Sequence, residues 1–281
     1  MKEKDLREIK ALITLLGDDD LKIRNVAWER LLAHGEPAHQ LIKEVAFSDS
    51  EGRIRIEAQA LLEEIRLDNL AKHFKKIIQS SDFDLEQACF ILAQIEYPNL
   101  NISHYIEKIE YLAHEAQIRI LGIQEEKKQV KNINHFLFYE QGFRGNVDAY
   151  FDPENSYINK VLDRYLGIPI SLSAIYLFIA RRLNLPIFGV GFPGHFLLKY
   201  KRDSDLFYID AFNHGKILTR HDCERFLNRM GYEFYDSYLD ISTPKEMLAR
   251  MIRNLVLIYH QSNQLKKIDT LEKIFSDFFM H

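Results

Sequence analysis

The stretch Gly167–Tyr200, GIPISLSAIYLFIARRLNLPIFGVGFPGHFLLKY, decides the fold. Pro169 suits the first position of a helix, where the N–H it lacks would go unpaired anyway. From there Ile170, Leu172, Ala174, Ile175, Leu177, Phe178, Ile179, Ala180 and Leu183 leave almost no polar side. A helix that is apolar all round is buried all round, so this one is predicted to be the centre of a domain. Four short segments follow: PIFGVGF, HFLLKYK, LFYIDAF and GKILT. They are rich in β-branched and aromatic residues and separated by turn formers, which predicts an antiparallel sheet. The expected fold class is α+β, a buried helix followed by an antiparallel sheet.

Working outward, Gly142–Ser156 (GFRGNVDAYFDPENS) reads as an irregular loop from its Gly, Asn, Asp and Pro content. It leads into a helix, SYINKVLDRYLG, expected to be capped by Asn155 or Ser156. Residues 67–140 read as helical, with Asp84 as the N-cap of DLEQACFILAQIE. The tail, 243–281, reads as a helical hairpin. At the other end, residues 1–66 carry four short apolar runs at helical spacing, each too short to bury its face alone. Stacked in pairs they resemble HEAT-type helical repeats. The expected domains are therefore 1–66, 67–242 and 243–281. Such repeats serve either as a docking surface or as a cap on the neighbouring domain.

Composition narrows the function classes. The chain has 281 residues, 47% apolar and 28% charged, with a net charge of −4. That is ordinary for a soluble protein and supplies no basic field for nucleic acid. Cys89 and Cys223 lie far apart in no metal-ligand spacing, so they read as free thiols. The N-terminus MKEKDLREIK lacks the apolar core of a signal peptide, and no run approaches the roughly 20 apolar residues of a membrane span. A cytoplasmic location is expected, with no cofactor.

His195 is the one polar residue that stands out in the decisive stretch. If Lys201–Ser204 form the next turn, opposed residues in the hairpin sum to a constant index, and His195 faces Asp210. An aspartate there would orient the ring and fix its tautomer. Two other readings of His195 stand beside this one. The first is a packed histidine satisfied by a backbone carbonyl. The second is a metal ligand with Asp210, His214 and His221, though no short motif joins those residues. Asp148, Asp152, Asn155 and Asn159 are candidates for lining a pocket near the helix start; Asx turns and caps use the same residue types.

The order of central helix, strand with His and strand with Asp resembles the transglutaminase-like superfamily, with its papain-like fold. NSYINKVLDRYLGIPISLSAIYLFIARRLNLPIFGVGFPGHFLLKY is similar in particular to its SirB-type branch. That resemblance implies a triad of Cys at the start of the buried helix, His195 and Asp210. Counted from Gly167, the nucleophile position falls on Pro169, which has no nucleophile. Ser171 lies two residues on, about 200° round the helix. The expected function is thus a non-catalytic regulatory or protein-interaction module with a protein partner. The alternative is a hydrolase or acyl-transfer enzyme using His195–Asp210 with Ser171 or a bound water.

Overall fold

The structure, a computed structural model, describes residues 3–48, 52–202 and 205–278. The chain divides into two compact units, Met1–His73 and Phe74–His281.

The first unit is helical. It comprises α1 (Glu3–Leu15), α2 (Leu21–His34), α3 (Glu36–Ala46) and the portion of α4 (Gly52–Ile78) up to His73. Asp20 caps α2 by accepting the N–H of Lys22, and Pro37 sits in the first turn of α3. The four apolar runs converge on one core that includes Ile9, Leu12, Leu16, Ala27, Leu31, Ile42 and Leu61. Each helix buries only part of its surface, in this shared core, so the unit holds together only as a set.

The second unit opens with α5 (Leu85–Glu96), α6 (Ile102–Ile120) and α7 (Glu126–His135). Asp84 caps α5 through the N–H groups of Glu86 and Gln87. The polar loop that follows contains β1 (Arg144–Gly145) and leads to α8 (Ile158–Arg164) and β2 (Leu166–Gly167). Asn155 and Ser156 were expected to cap α8, but Tyr157 holds that position and makes no side-chain cap bond. Asn155 is instead committed inside the loop. It accepts from Asn146 and donates to the carbonyls of Ala149 and Tyr150.

The buried helix is α9 (Pro169–Arg182). It packs against α6, α8, β3 (Ile187–Val190), β4 (Leu197–Arg202) and α11 (Pro244–Gln261). Every residue from Pro169 to Tyr176 is buried. Its far end is less free than an exposed helix tip. Arg181 and Arg182 both donate to the buried Glu86 carboxylate, at 2.8 and 2.7 Å.

Completing the chain are β5 (Asp205–Asp210), β6 (Lys216–Leu218), α10 (Arg220–Arg229), β7 (Ile241–Ser242) and α12 (Leu265–Ile274). Sheet order is β6-β5-β4-β3-β7, antiparallel throughout. The expected hairpin register needs correction. Pairing runs from Leu198↔Ile209 to Arg202↔Asp205. Lys201 and Arg202 are therefore strand rather than turn, and Ser204 lies outside the described residues. The index sum is two larger than expected, because β4 runs two residues further, to Arg202, while β5 starts at Asp205 as expected. A shift of two preserves which face each side chain takes. His195 itself precedes β4, in a bend.

Close packing at the start of α9 depends on Gly167. A Cβ there would lie 2.8 Å from Ser171 Oγ, 3.0 Å from Leu172 Cγ and 3.1 Å from Val161 Cγ1. Gly167→Ala should therefore destabilise the protein by about 1–3 kcal/mol, as overpacked sites do. Gly52→Ala, where a Cβ meets nothing within 4 Å, should be close to neutral. Urea denaturation of both variants measures the contrast, and equal midpoints would contradict the packing at α9.

Candidate functional site

The start of α9 is held by the segments before it. β1 pairs in parallel with β2, Arg144↔Leu166 and Gly145↔Gly167. The Asn146 N–H donates to the Gly167 carbonyl at 3.0 Å, which ties the polar loop to the helix start. Ile168 occupies the N-cap position in extended conformation, and its apolar side chain cannot accept the first N–H groups. Ser171 reaches back instead. Its Oγ accepts the Ile168 N–H at 3.1 Å and donates to the Asn155 carbonyl at 2.6 Å. The hydroxyl is fully buried and its proton is engaged. Ser171 is thus a structural clasp turned toward the loop.

His195 reaches the site from a tight turn. Its N–H donates to the Phe192 carbonyl at 3.1 Å. Pro193 and Gly194 occupy the central positions, and Gly194 has φ +65°, the arrangement that requires glycine in a type II turn. Arg250, on α11, clamps the same turn by donating Nη2 to the carbonyls of His195 (2.7 Å) and Phe192 (3.1 Å).

The imidazole is 8% exposed and Asp210 is 4% exposed. His195 Nε2 lies 2.9 Å from Asp210 Oδ1. An ionised carboxylate only accepts, so Nε2 is the donor and Nδ1 is the ring nitrogen outside this bond. The pairing is as expected, although the residues meet from a bend and a strand end rather than across a ladder rung. Asp210 is itself held by Asn213, whose N–H donates to Oδ1 and whose side-chain amide donates to Oδ2. Burial pushes the Asp210 carboxyl up. The hydrogen bond and charge of His195, with the two Asn213 bonds, outweigh that and hold it below the usual carboxylate range. The ring packs against Phe226 and Phe212, with centroids at 5.6 and 6.0 Å.

A cavity of about 200 Å³ opens beside His195. Pro169 lines it, together with Ile168, Ile170, Tyr150, Phe151, Arg250, Asn254 and Leu257. Position 169, to which the resemblance gives a cysteine, thus borders the same cavity as His195 and carries a pyrrolidine ring. Ser171 does not line this cavity. Ser173 Oγ is buried without a hydrogen-bond partner and also lies outside the lining. Neither cysteine substitutes. Cys89 Sγ packs 3.7 Å from Met251 Sδ, and Cys223 lies in the core around Val190, Phe192 and Leu197. Burial raises both thiols, Cys223 to about 12, so both are protonated and inert.

The loop candidates go elsewhere. Asp152 accepts the N–H of Glu154 and pairs with Arg164 at 2.8 Å. Asn155 is consumed by its loop bonds. Asn159 lines a separate, shallow pocket beside Asn101 and Tyr105. Asp148 is exposed. Among the described residues, no group of three or more His, Cys, Asp and Glu could hold a metal ion. His214 packs against Tyr139 and His221 pairs with Glu224. The cavity wall supplied by Arg250, Asn254 and Leu257 was not foreseen. Its signal in the sequence is Arg250 and Asn254 at i, i+4 spacing, on one face of α11.

The family model described as the transglutaminase-like superfamily matches residues 103–253, just over half of the chain and the whole of the His195–Asp210 site. A UPF0162 protein of Xylella fastidiosa (strain 9a5c) is 33% identical over 193 residues, 66% of this chain and 69% of that one. F-box only protein 21 of Mus musculus is 36% identical over 145 residues, 49% of this chain and 23% of its own length. A UPF0162 protein of Vibrio cholerae is 30% identical over 150 residues, covering 52% of this chain and 55% of its own. No solved structure matches the chain significantly.

The depressed Asp210 carboxyl predicts a pH signature. Its stabilising effect is fully present above the unfolded carboxyl pKa, about 3.9, and is lost as pH falls through the lower folded value. Asp210→Asn should therefore be less stable than the parent at pH 7, and the gap should narrow below about pH 4. Urea midpoints across that range measure it. A gap that stays constant would contradict an ionised, stabilising Asp210.

Proposed function

We propose that this chain, which belongs to the transglutaminase-like superfamily, is a non-catalytic regulatory or protein-interaction module. Its His–Asp pair would then be retained as one wall of a binding cavity. One observation carries this reading: Pro169, at the position the resemblance gives to the nucleophile, lines the same cavity as His195. Nucleophilic catalysis needs a hydroxyl, thiol or amine within hydrogen-bond reach of the base. The nearest hydroxyl in sequence, Ser171, is locked onto Ile168 and Asn155.

Further features support an interaction role. The first unit exposes Leu21, Val26, Phe47 and Ile56, residues that a helical repeat of HEAT type would offer to a protein partner. In F-box only protein 21 the matching segment is under a quarter of the chain, so there the core is one part of a larger protein. The SirB-type resemblance adds a regulatory context. Among the described residues no helix is long and apolar enough to cross a membrane, which accords with the cytoplasmic location proposed from composition. No cofactor is invoked.

A second reading has an observation of its own. His195–Asp210 is intact and borders an open cavity, so the pair could act on a bound water as general base in hydrolysis. Assay of the purified full chain against a panel of p-nitrophenyl esters and γ-glutamyl amides separates the two. The non-catalytic reading predicts rates equal to those of a His195→Ala variant. Turnover that His195→Ala abolishes would overturn it in favour of a hydrolase.

A further inference from the structure

The cavity beside His195 contains a cation without an anion. Arg250 is partly buried on its wall. Its Nη2 is engaged by the two turn carbonyls, while Nη1 and Nε make no hydrogen bond among the described residues. Burial, and the like charge of Arg253, push the guanidinium pKa below its ordinary value; even so a guanidinium stays charged at neutral pH. The other titratable side chain acting on it is the Tyr150 phenol, and no carboxylate pairs with it. Elsewhere in this unit the partly buried arginines are compensated. Arg119 pairs with Glu115 and Glu140, Arg164 with Asp152 and Glu154, and Arg182 with Glu86 and Glu110. Two turn carbonyls and the Phe196 ring, 5.6 Å away, face the Arg250 guanidinium; with no carboxylate beside it, this partly buried cation favours an anionic ligand.

The rest of the cavity says which kind. One turn along α11, Asn254 presents a side-chain amide to the same space, with no hydrogen bond among the described residues. The i, i+4 spacing puts it on the same face as Arg250. The remaining walls are mostly apolar or aromatic, from Phe151, Ile168, Pro169, Ile170 and Leu257, with Tyr150 and the His195 ring completing them. One cation, one amide and greasy walls suit a monoanion on an apolar body better than a multiply charged phosphate. With Nη2 held by the turn, Nη1 keeps two N–H donors, enough to hold a carboxylate oxygen.

We propose that this cavity binds the carboxylate of a ligand bearing a small apolar group, with Arg250 as the ion partner and Asn254 as a second donor. A free short-chain carboxylic acid and a peptide C-terminus ending in an aliphatic residue present this same chemistry. The inference rests on the reading of the site as a binding cavity and names what it binds.

Calorimetric titration of the full chain with N-acetyl-Ala-Leu as free acid, the same dipeptide as C-terminal amide, and 4-methylpentanoate tests it. The acids should bind saturably and the amide about tenfold more weakly or not at all. Tighter binding of the peptide acid identifies a chain terminus, and tighter binding of 4-methylpentanoate a free acid. Arg250→Gln should abolish acid binding. Because Arg250 also clamps the turn, Asn254→Leu provides a second variant, which leaves that clamp intact and should weaken the acids several-fold. Equal binding of acid and amide, binding unchanged in both variants, or no binding of any probe at millimolar concentration would overturn the inference. The last result would leave the non-catalytic reading standing. Turnover abolished by His195→Ala would overturn that reading without touching carboxylate binding.

Discussion

Helix α9 has no side that tolerates water, and the second unit is arranged around that constraint. Its apolar residues demand cover from every direction, which α6, α8, α11 and the β3–β4 face of the sheet supply. A helix held on all sides cannot slide or rotate, so its first residue is fixed in space. The polar loop then closes over that first residue. The β1–β2 pairing, Ser171 and Asn155 together satisfy backbone groups that Ile168 and Pro169 cannot. Position 169 is therefore a precisely located point, whatever side chain stands there. Sheet packing brings His195 to it, and Asp210 and Arg250 hold His195 in place.

On the proposed non-catalytic reading, that geometry keeps the orienting parts of the site without its nucleophile. Proline at 169 suits the helix start: it lacks only an N–H that the helix does not use. It fills the nucleophile's place without disturbing Ser171, whose role is to clasp the backbone. The His195–Asp210 pair remains hydrogen-bonded because it also contributes to the fold. Asn213, Phe212 and Phe226 all pack or bond against it. Retention of the pair is therefore not by itself a sign of turnover.

Much of this was legible in the sequence. The unbroken apolar character of 170–183 announced a buried helix, and the β-branched segments after it announced the sheet. The Pro-Gly-His turn and the parity of the hairpin brought His195 and Asp210 together, even though the register was off by two. Parity survives such an error because side chains alternate with period two. What stayed hidden depended on tertiary partners. Asn155 and Asp152 looked like pocket residues because Asn and Asp serve loops and sites equally well, and only their hydrogen bonds tell the two apart. Helix α10 was missed because RHDCERFLNR is strongly polar. Its signal was the Thr219–Asp222 capping box, in which each residue bonds the other's backbone N–H. Arg250 and Asn254 come from a helix far along the chain, and nothing local marks them as facing His195.

The central claim is that Pro169 stands at a nucleophile's position beside the hydrogen-bonded His195–Asp210 pair. Placing a thiol there tests it most directly. In a Pro169→Cys variant, iodoacetamide alkylation followed against pH reads the pKa of the new thiol, because buried Cys89 and Cys223 stay silent. The account predicts a thiol titrating well below the ordinary value of about 8.5, and a return toward that value when His195→Ala is added. A new thiol that titrates like free cysteine in both backgrounds would contradict it.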